Sequence, residues 1–577
     1  MSEISPLLSE VNPQQLEKIA SAKAHGIRIE TSWEELSEQA QELLHQLYSW
    51  PQERLEELFD SATAQPFTSA ARTLDAASQW MPARDKSDRA QQKRTALCAA
   101  LSYAALGNFP SASAVLKRAF PTLRPTSTSQ AVLMAVAAPA LLEEIERHNA
   151  HDESATPFFE SLRCFLKSGQ DLEVAQSAFQ QRRIEGKDDL SGLGAICLQQ
   201  IFTLSTAHVL RDKTSLSDAY IRRLASHVPL LMPPQWRVLQ EGLLQEGLLQ
   251  DGNAIVSLPP GTGKTLLGEL CLMHSLDTKP GLGVFLAPYV ALGRQVARRL
   301  EKHLPPTVRV CRALAGGELP DFQPHQRTEI LVATPEKLDG LLRAQPHLLK
   351  HLKIVICDEA HLIGGDARGA RLEGLLTRLR LQQSSGHSLR LVLLSAALGQ
   401  SSSLCKWIEA RVFAHDWRPT AQRIALWTGD GRLTWKDEAL AHDAYALPMS
   451  WPNAHITPSD HWPAVERQTP LLHANAAFLA RHLNESLGGA VLCVCATRRG
   501  TRHMAQALAH FFSPREPYGA LAQAIDIIEK RHRILWPLAD ALRRGVAWHN
   551  ASLPQEVRSL IEQALEEGGL EAIAATT

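Results

Sequence analysis

The spacing of apolar and polar positions divides the chain into a helical first part and a second part in which strands alternate with helices. Up to about residue 225, apolar residues recur at i, i+3, i+4 and i+7, which is the spacing of one helix face. Gly, Pro or Asn separates the successive segments. We expect an all-α domain over residues 1–225, either a docking scaffold for a protein partner or simply a helical domain. The pattern predicts helices over Trp33–Leu47, Arg89–Leu106, Ser111–Phe120 and Phe158–Leu166.

From about residue 230, short apolar runs are each followed by an amphipathic helix. Near-continuous apolar strands of this kind indicate a parallel sheet that is covered on both faces. Ligands of such sheets bind beyond the carboxyl ends of the strands, and the candidate chemistry of this chain falls at those ends. We expect this first sheet domain at 226–420. Its predicted strands are 254–258, 284–287, 330–334, 354–358 and 391–396.

A stretch rich in Pro and Trp at 447–470 predicts an irregular loop or insertion. The alternation then resumes with a helix at 471–486, a strand at 490–497, a helix at 500–512 and a strand at 571–577. Two strands do not complete a sheet. We therefore expect 421–577 to be part of a second sheet domain, and the chain to be a fragment of a longer protein.

Composition excludes several classes of protein. The net charge of −1 over 577 residues provides no global basic field, so any binding to nucleic acid must use local patches. The nine cysteines show no zinc-site spacing. The N-terminus lacks a signal-peptide pattern. The longest apolar stretch, Ala131–Leu142, is shorter than the ~20 residues that span a bilayer. We expect a cytoplasmic protein that does not bind membranes.

The segment LPPGTGKT at 258–265 lies between a predicted strand and a predicted helix. Glycines in such a loop let successive backbone N–H groups point at phosphate oxygens, and the start of the helix adds its dipole. Lys264 is expected to reach the β and γ phosphates, and the Thr265 hydroxyl is expected to bind Mg²⁺. The predicted ATP-binding residues of this loop are Pro260, Gly261, Thr262, Gly263, Lys264 and Thr265.

The segment DEAH at 358–361 follows another apolar strand. Asp358 is expected to hold Mg²⁺, and Glu359 is expected to orient and deprotonate the attacking water. The spacing from the phosphate loop predicts that both segments meet at one edge of the same sheet. The predicted catalytic residues are Glu359, Asp358 and Lys264.

The whole set of motifs resembles the superfamily 2 DExH helicases, in particular the Ski-type branch of archaeal repair DNA helicases and exosome-linked RNA helicases. The resemblance covers about 230–577 and includes LMPPQWRVLQEGLL, APYVALGRQVARRL, ATPEKLDGLLR, DEAHLIGGDARGARLEGLLTRLR, LLSAALGQSSSLCKWI, DWRPT and VLCVCATRRGTRHMAQAL. It implies an α/β fold of RecA-like P-loop NTPase domains preceded by the all-α domain. It also implies an ATP-dependent helicase or translocase that uses ATP and Mg²⁺ and binds single-stranded nucleic acid, DNA rather than RNA.

The resemblance assigns further roles to individual residues. Gln235 would read the adenine edge, and His361 and Ser395 would couple hydrolysis to movement. One departure stands beside Ser395: the family has Ser-Ala-Thr where this chain has Ser-Ala-Ala, ending at Ala397. The residues implied to grip nucleic acid are Pro288, Arg294, Thr334, Pro335, Lys337 and Arg498.

Two alternatives to a motor remain open at the sequence level. The chain could be a non-motor subunit that binds ATP and nucleic acid but lacks efficient hydrolysis. A similar phosphate loop also occurs in ring-forming ATPases that remodel proteins. Stimulation of ATP hydrolysis by single-stranded nucleic acid is expected only of the motor.

Overall fold

The computed structural model divides the chain into two compact units, formed by 1–21 with 28–423 and by 22–27 with 424–577. The first unit contains one described sheet and the second unit two, and each unit has its own core. The structure describes residues 12–24, 31–48, 50, 52–149, 153–169, 177, 190–241, 247–276, 281–314, 322, 324, 327–365, 367–396, 402–420, 424–427, 432–436, 444–446, 471–487 and 489–576.

The first part of the chain is helical, as its apolar spacing predicts. Side-chain caps fix several helix starts: Asp60 accepts hydrogen bonds from two backbone N–H groups of the third helix, and Asn108 and Ser127 cap later helices. The helices are α1 Pro13–Ala24, α2 Trp33–Tyr48, α3 Ser61–Trp80, α4 Lys86–Ala105, α5 Phe109–Ala119, α6 Thr128–Ala137, α7 Leu142–His148, α8 Thr156–Ser168, α9 Leu190–Leu204, α10 Thr206–Lys213 and α11 Asp218–Ala225.

No single helix among the described residues is long and apolar enough to cross a bilayer. The pair Thr128–Ala137 and Pro139–His148, which is bent by 118°, reaches the required length and apolar composition only when both members are counted together, and nothing beyond length and composition supports a membrane span.

The same unit then builds a seven-stranded parallel sheet with the order β3-β4-β2-β5-β6-β1-β7. Its strands are β1 Asn253–Ser257, β2 Leu282–Leu286, β3 Arg309–Ala313, β4 Glu329–Ala333, β5 Leu352–Cys357, β6 Arg390–Ser395 and β7 Ala410–Ala414. The helix α12 Pro233–Gln240 precedes β1, and the helices between the strands are α13 Lys264–Leu276, α14 Val290–His303, α15 Pro335–Ala344, α16 Ala367–Ser384 and α17 Ser402–Ile408.

The five predicted strands of this sheet are present, and the predicted fold class is confirmed. All five lie between other strands and are buried along almost their whole length. The two strands that the sequence did not predict, β3 and β7, are the edges of the sheet and are only partly buried. An edge strand exposed on one side does not need a continuous apolar run, so the pattern that predicted the others does not mark it.

The second unit contains two small sheets. β8 Ile424–Trp427, β9 Arg432–Lys436 and β10 Ala444–Ala446 are antiparallel, whereas β11 Val491–Cys495, β12 Val546–His549 and β13 Ala572–Thr576 are parallel in the order β11-β13-β12. Its helices are α18 Leu471–Leu487, α19 Arg498–Phe511, α20 Gly519–Arg531, α21 Trp536–Leu542 and α22 Gln555–Glu566. The predicted loop at 447–470 lies outside the described residues.

Candidate nucleotide-binding site

The phosphate loop follows β1 and leads directly into α13. Gly261 and Gly263 have φ angles of +80° and +71°, which residues with a side chain rarely adopt. A Cβ on Gly263 would also lie only 2.3 Å from the Gln235 amide nitrogen. Glycine is therefore required at both positions by the turn, and at the second by the close neighbour as well.

Lys264 is folded back onto its own loop. Its Nζ donates to the Leu258 and Pro259 carbonyls at 2.9 and 3.2 Å. Burial lowers the pKa of the Lys264 ammonium, and the nearby carboxylates of Glu359 and Asp358 oppose that shift. The ammonium group of Lys264 thus lies near both carboxylates. Phosphate oxygens of a bound nucleotide can replace the two carbonyls as its hydrogen-bond acceptors.

Gln235 joins α12 to the phosphate loop. Its Oε1 accepts the Met232 N–H at 2.9 Å, and its Nε2 donates to the Thr262 and Gly263 carbonyls at 2.9 and 3.1 Å. Both ends of the amide are thus engaged within the protein. Reading of an adenine by Gln235 stays a prediction, and it would require these bonds to be exchanged.

The DEAH residues follow β5 in a tight turn. Glu359 has φ 51° and ψ 44°, the left-handed region that is rare for a residue with a side chain and costs of order 1–3 kcal/mol. The Glu359 N–H donates to Asp358 Oδ1 at 3.0 Å. This strained turn fixes the relative position of the two carboxyl groups.

Asp358 is half-buried where the turn leaves β5. Burial, followed by the charge of Glu359, raises the pKa of the Asp358 carboxyl to about 6. The Glu359 N–H, the Lys264 ammonium and His361 act in the opposite direction. Burial makes the charged form of this carboxyl group unfavourable. A bound cation would stabilise the charged form, so the site favours cation binding.

The two residues predicted to couple hydrolysis to movement lie next to the DEAH turn and at the end of a neighbouring strand. His361 Nδ1 is 3.2 Å from Glu359 Oε2. Ser395 is fully buried at the end of β6, the strand between β1 and β5, and its carbonyl accepts the Leu258 N–H at 3.1 Å. The β6 strand therefore links the start of the phosphate loop to the DEAH strand. Ala397, the departure from the family pattern, lies outside the described residues.

The carboxyl ends of β2 and β4 carry most of the residues predicted to grip nucleic acid. Pro288 follows β2, and Thr334 and Pro335 begin α15 directly after β4. Arg294 and Lys337 are half-buried in the first two turns of α14 and α15. These five residues thus lie in the segments that follow two neighbouring strands at one edge of the sheet. Arg498 is exposed at the start of α19 in the second unit.

A contact that the sequence did not predict joins this edge to the DEAH turn. The Arg368 guanidinium lies 5.4 Å from the ring centroid of Tyr289, a large aromatic side chain with 47% of its surface exposed. The next residue, Gly369, approaches Leu362 so closely that a Cβ would lie 2.1 Å from its carbonyl oxygen. Because of this contact, the start of α16 is positioned against the turn that carries Glu359. The signal available in the sequence was the aromatic residue that follows Pro288 in the segment APYVALGRQVARRL, which resembles a family motif that binds nucleic acid.

Comparison with known proteins agrees with this geometry. Residues 233–403 match the model of the DEAD/DEAH box helicase family. The chain contains a DEAD/DEAH box helicase domain. The match extends from the start of α12 into α17 and so includes the phosphate loop, the DEAH turn and both strand-end loops.

Relatives of the helicase domain include archaeal proteins named ATP-dependent DNA helicase Hel308. The protein of Thermococcus kodakarensis is 30% identical over 362 residues, which cover 62% of this chain and 28% of that protein. The protein of Methanocella arvoryzae is 28% identical over 378 residues, which cover 63% of this chain and 45% of that protein. The chain thus spans less than half the length of these relatives.

The helicase domain offers a donor set that suits Mg²⁺. Asp358 supplies a carboxylate with a raised pKa, and Thr265 is half-buried in the first turn of α13. No group of three or more His, Cys, Asp or Glu side chains in the described part of the chain could hold a metal ion. Mg²⁺ is commonly held by one or two protein groups together with substrate phosphates, and these two residues fit that mode.

Proposed function

We propose that the chain is the ATP-hydrolysing part of a superfamily 2 helicase or translocase that moves along single-stranded nucleic acid, DNA rather than RNA. The observation that carries the proposal is the position of the phosphate loop and the DEAH turn. They follow β1 and β5, and only β6 lies between these two strands in the sheet. Such proximity at the carboxyl edge allows one ligand to contact both segments.

In this proposal, Lys264 exchanges its carbonyl partners for phosphate oxygens when ATP enters the loop. Backbone N–H groups after Gly261 and the start of α13 bind the remaining phosphate charge. Glu359 orients a water molecule and accepts its proton. Thr265 and Asp358 would hold Mg²⁺, which when bound neutralises negative charge on the phosphates.

Nucleic acid would lie along the ends of β2 and β4, against Pro288, Thr334 and Pro335. Arg294 and Lys337 would contribute positive charge from α14 and α15. A contact of Arg498 with nucleic acid is a separate proposal, since this residue belongs to the second unit. Contacts to phosphates carry no base information, so binding is expected to be independent of sequence and sensitive to salt. The names of the relatives in the comparison support DNA as the polymer.

Coupling between the two sites would run through residues next to the catalytic turn. His361 contacts Glu359, and buried Ser395 ends the strand between the two nucleotide-binding segments. A shift of either residue would alter the position of the general base relative to the phosphate loop.

The test is steady-state ATP hydrolysis with and without single-stranded DNA. The proposal predicts a rate that rises severalfold with single-stranded DNA or RNA, with a larger increase for DNA, and that is lost in Glu359→Gln. A rate that is unchanged by either polymer would support the non-motor alternative. Ring assembly on size-exclusion chromatography together with an unstimulated rate would support a protein-remodelling ATPase.

A further inference from the structure

The helical region contacts the nucleotide-binding site at several points that its sequence did not predict. Phe59, just before α3, meets Trp236 of α12 edge-on, with ring centroids 5.4 Å apart. Gly107, between α4 and α5, lies so close to Pro233 that a Cβ would be 2.9 Å from the proline ring. The helix that carries Gln235 is therefore packed directly against the helical region.

A second group of contacts reaches residues 416–419, which follow β7. The Asn108 amide donates to the Pro419 carbonyl at 2.7 Å, and the Ser111 hydroxyl donates to the same carbonyl at 3.1 Å. Nearby, the Ser61 hydroxyl donates to Asp416 at 3.2 Å. Asn108 is only 9% exposed, so solvent has little access to the amide group that makes this hydrogen bond.

Pro419 in turn lies against the phosphate loop. A Cβ on Gly261 would be 3.3 Å from the Pro419 ring, which is closer than any other described residue outside the loop's own neighbours. The loop is therefore held from two sides, by Pro419 at Gly261 and by the Gln235 amide at Thr262 and Gly263. Both of these neighbours are themselves supported by the helical region.

We propose that Asn108 is a positioning residue for the phosphate loop, and that the helical region sets nucleotide affinity by holding Pro419 against Gly261. The inference rests on the proposed nucleotide site and adds a role for the region that precedes it. A loop ordered before its ligand arrives loses less conformational freedom on binding, so its affinity is higher. Asn108 touches no reacting atom, and its influence is expected on binding rather than on the chemical step.

Asn108→Asp separates this role from helix stability. Asn108 Oδ1 caps α5 by accepting the Ser111 N–H at 3.3 Å, and aspartate is an equally good cap. The substitution replaces the donor by a negatively charged carboxylate oxygen opposite the Pro419 carbonyl, while the other oxygen can still cap α5. Ser111→Ala removes the second donor, and Pro419→Ala removes the ring that contacts Gly261 without altering the helical region.

The matched control is Asp85→Asn, the reverse change at the cap of α4, whose side chain accepts the Asp88 N–H at 2.9 Å within its own helix. The measurements are the Kd of a fluorescent ATP analogue, the KM and kcat for ATP, and the thermal midpoint. We expect Asn108→Asp and Pro419→Ala each to raise Kd and KM by about threefold to tenfold, in keeping with loss of one hydrogen bond or contact. The value of kcat should stay within about twofold, and Asp85→Asn should change none of these values.

The double variant Asn108→Asp with Pro419→Ala should bind nucleotide about as weakly as either single variant, since both substitutions break the same chain of contacts. Wild-type affinity in folded Asn108→Asp and Pro419→Ala, or the same loss in Asp85→Asn, would overturn the inference while the proposed function stands. If Asn108→Asp does not fold, Ser111→Ala and Pro419→Ala decide the question. A wild-type chain that binds no nucleotide would overturn the proposed function itself.

Discussion

The parallel sheets of the two units contain strands that look alike in sequence and differ in environment. β2 (LGVFL) lies between β4 and β5, and all five of its residues are buried. β11 (VLCVC) is at least as apolar, but among the described strands it pairs with β13 alone. Leu492 and Val494 on this strand are 60% and 66% exposed. An apolar run thus predicts a strand, whereas burial of both faces depends on which neighbours cover it.

The comparison extends to chemistry. The first unit contains the phosphate loop, both DEAH carboxylates and the strand-end loops, all at the carboxyl edge of a sheet whose central strands are buried. In the second unit, Arg498 is the one residue to which the family resemblance assigned a role in the site. The two units should therefore respond very differently to matched substitutions.

The largest difference is expected at Glu359, the proposed general base. Glu359→Gln should lower the ATP hydrolysis rate about 10²–10⁴-fold, because an amide cannot accept the proton of the attacking water. Glu373→Gln, at an exposed position on α16, is the matched control and should hydrolyse ATP like the wild type. Equal rates for the two variants would show that Glu359 is not the base.

A valine-to-threonine pair tests the comparison of the sheets directly. Val256 in β1 is fully buried, so Val256→Thr places a hydroxyl in an apolar environment and should cost about 1–3 kcal/mol of unfolding free energy. Val494→Thr in β11 changes a largely exposed side chain and should stay within about 0.5 kcal/mol. Urea denaturation of both variants measures the difference. Similar losses would mean that the exposed face of β11 is covered in solution.

The strained acidic turn predicts a dependence of stability on pH. Because the pKa of Asp358 in the folded state is raised to about 6, its contribution to stability decreases as pH rises from about 4 through 6. Asp358→Asn lacks this penalty, so with EDTA present it should be more stable than the wild type at neutral pH, by about 1 kcal/mol or more. The advantage should disappear near pH 4. The measurement is the thermal midpoint of both proteins across this pH range. A difference in midpoint that does not change with pH would contradict the raised pKa of Asp358.

The smallest effect is expected at the contact between Arg368 and Tyr289. Loss of a partly exposed cation–π pair is worth about 0.5–1 kcal/mol, so Arg368→Ala should weaken stimulation of the ATPase by single-stranded DNA a few-fold. The ATPase rate without DNA should change little. Lys350→Ala, an exposed cation before the amino end of β5, serves as the control at the opposite edge of the sheet. If both variants lost stimulation equally, the effect would be one of general charge.

The sequence predicted what depends on local pattern. The five central strands follow from their apolar runs, and Gly261, Gly263 and Lys264 follow from the loop that joins a strand to a helix. The left-handed backbone of Glu359 has no local signal, since glycine is the residue that usually marks such a conformation. The contact of Asn108 with Pro419 joins residues 311 positions apart, and only the folded chain shows it.

The central claim is that a nucleotide binds at the carboxyl edge of the seven-stranded sheet, between the loop after β1 and the turn after β5. The most direct test is the equilibrium affinity of a fluorescent ATP analogue for Lys264→Ala and for Glu359→Gln. The account predicts that Lys264→Ala raises the Kd about tenfold or more, because a charge-assisted contact to phosphate is lost, while Glu359→Gln keeps near wild-type affinity. Full nucleotide affinity in Lys264→Ala would contradict it.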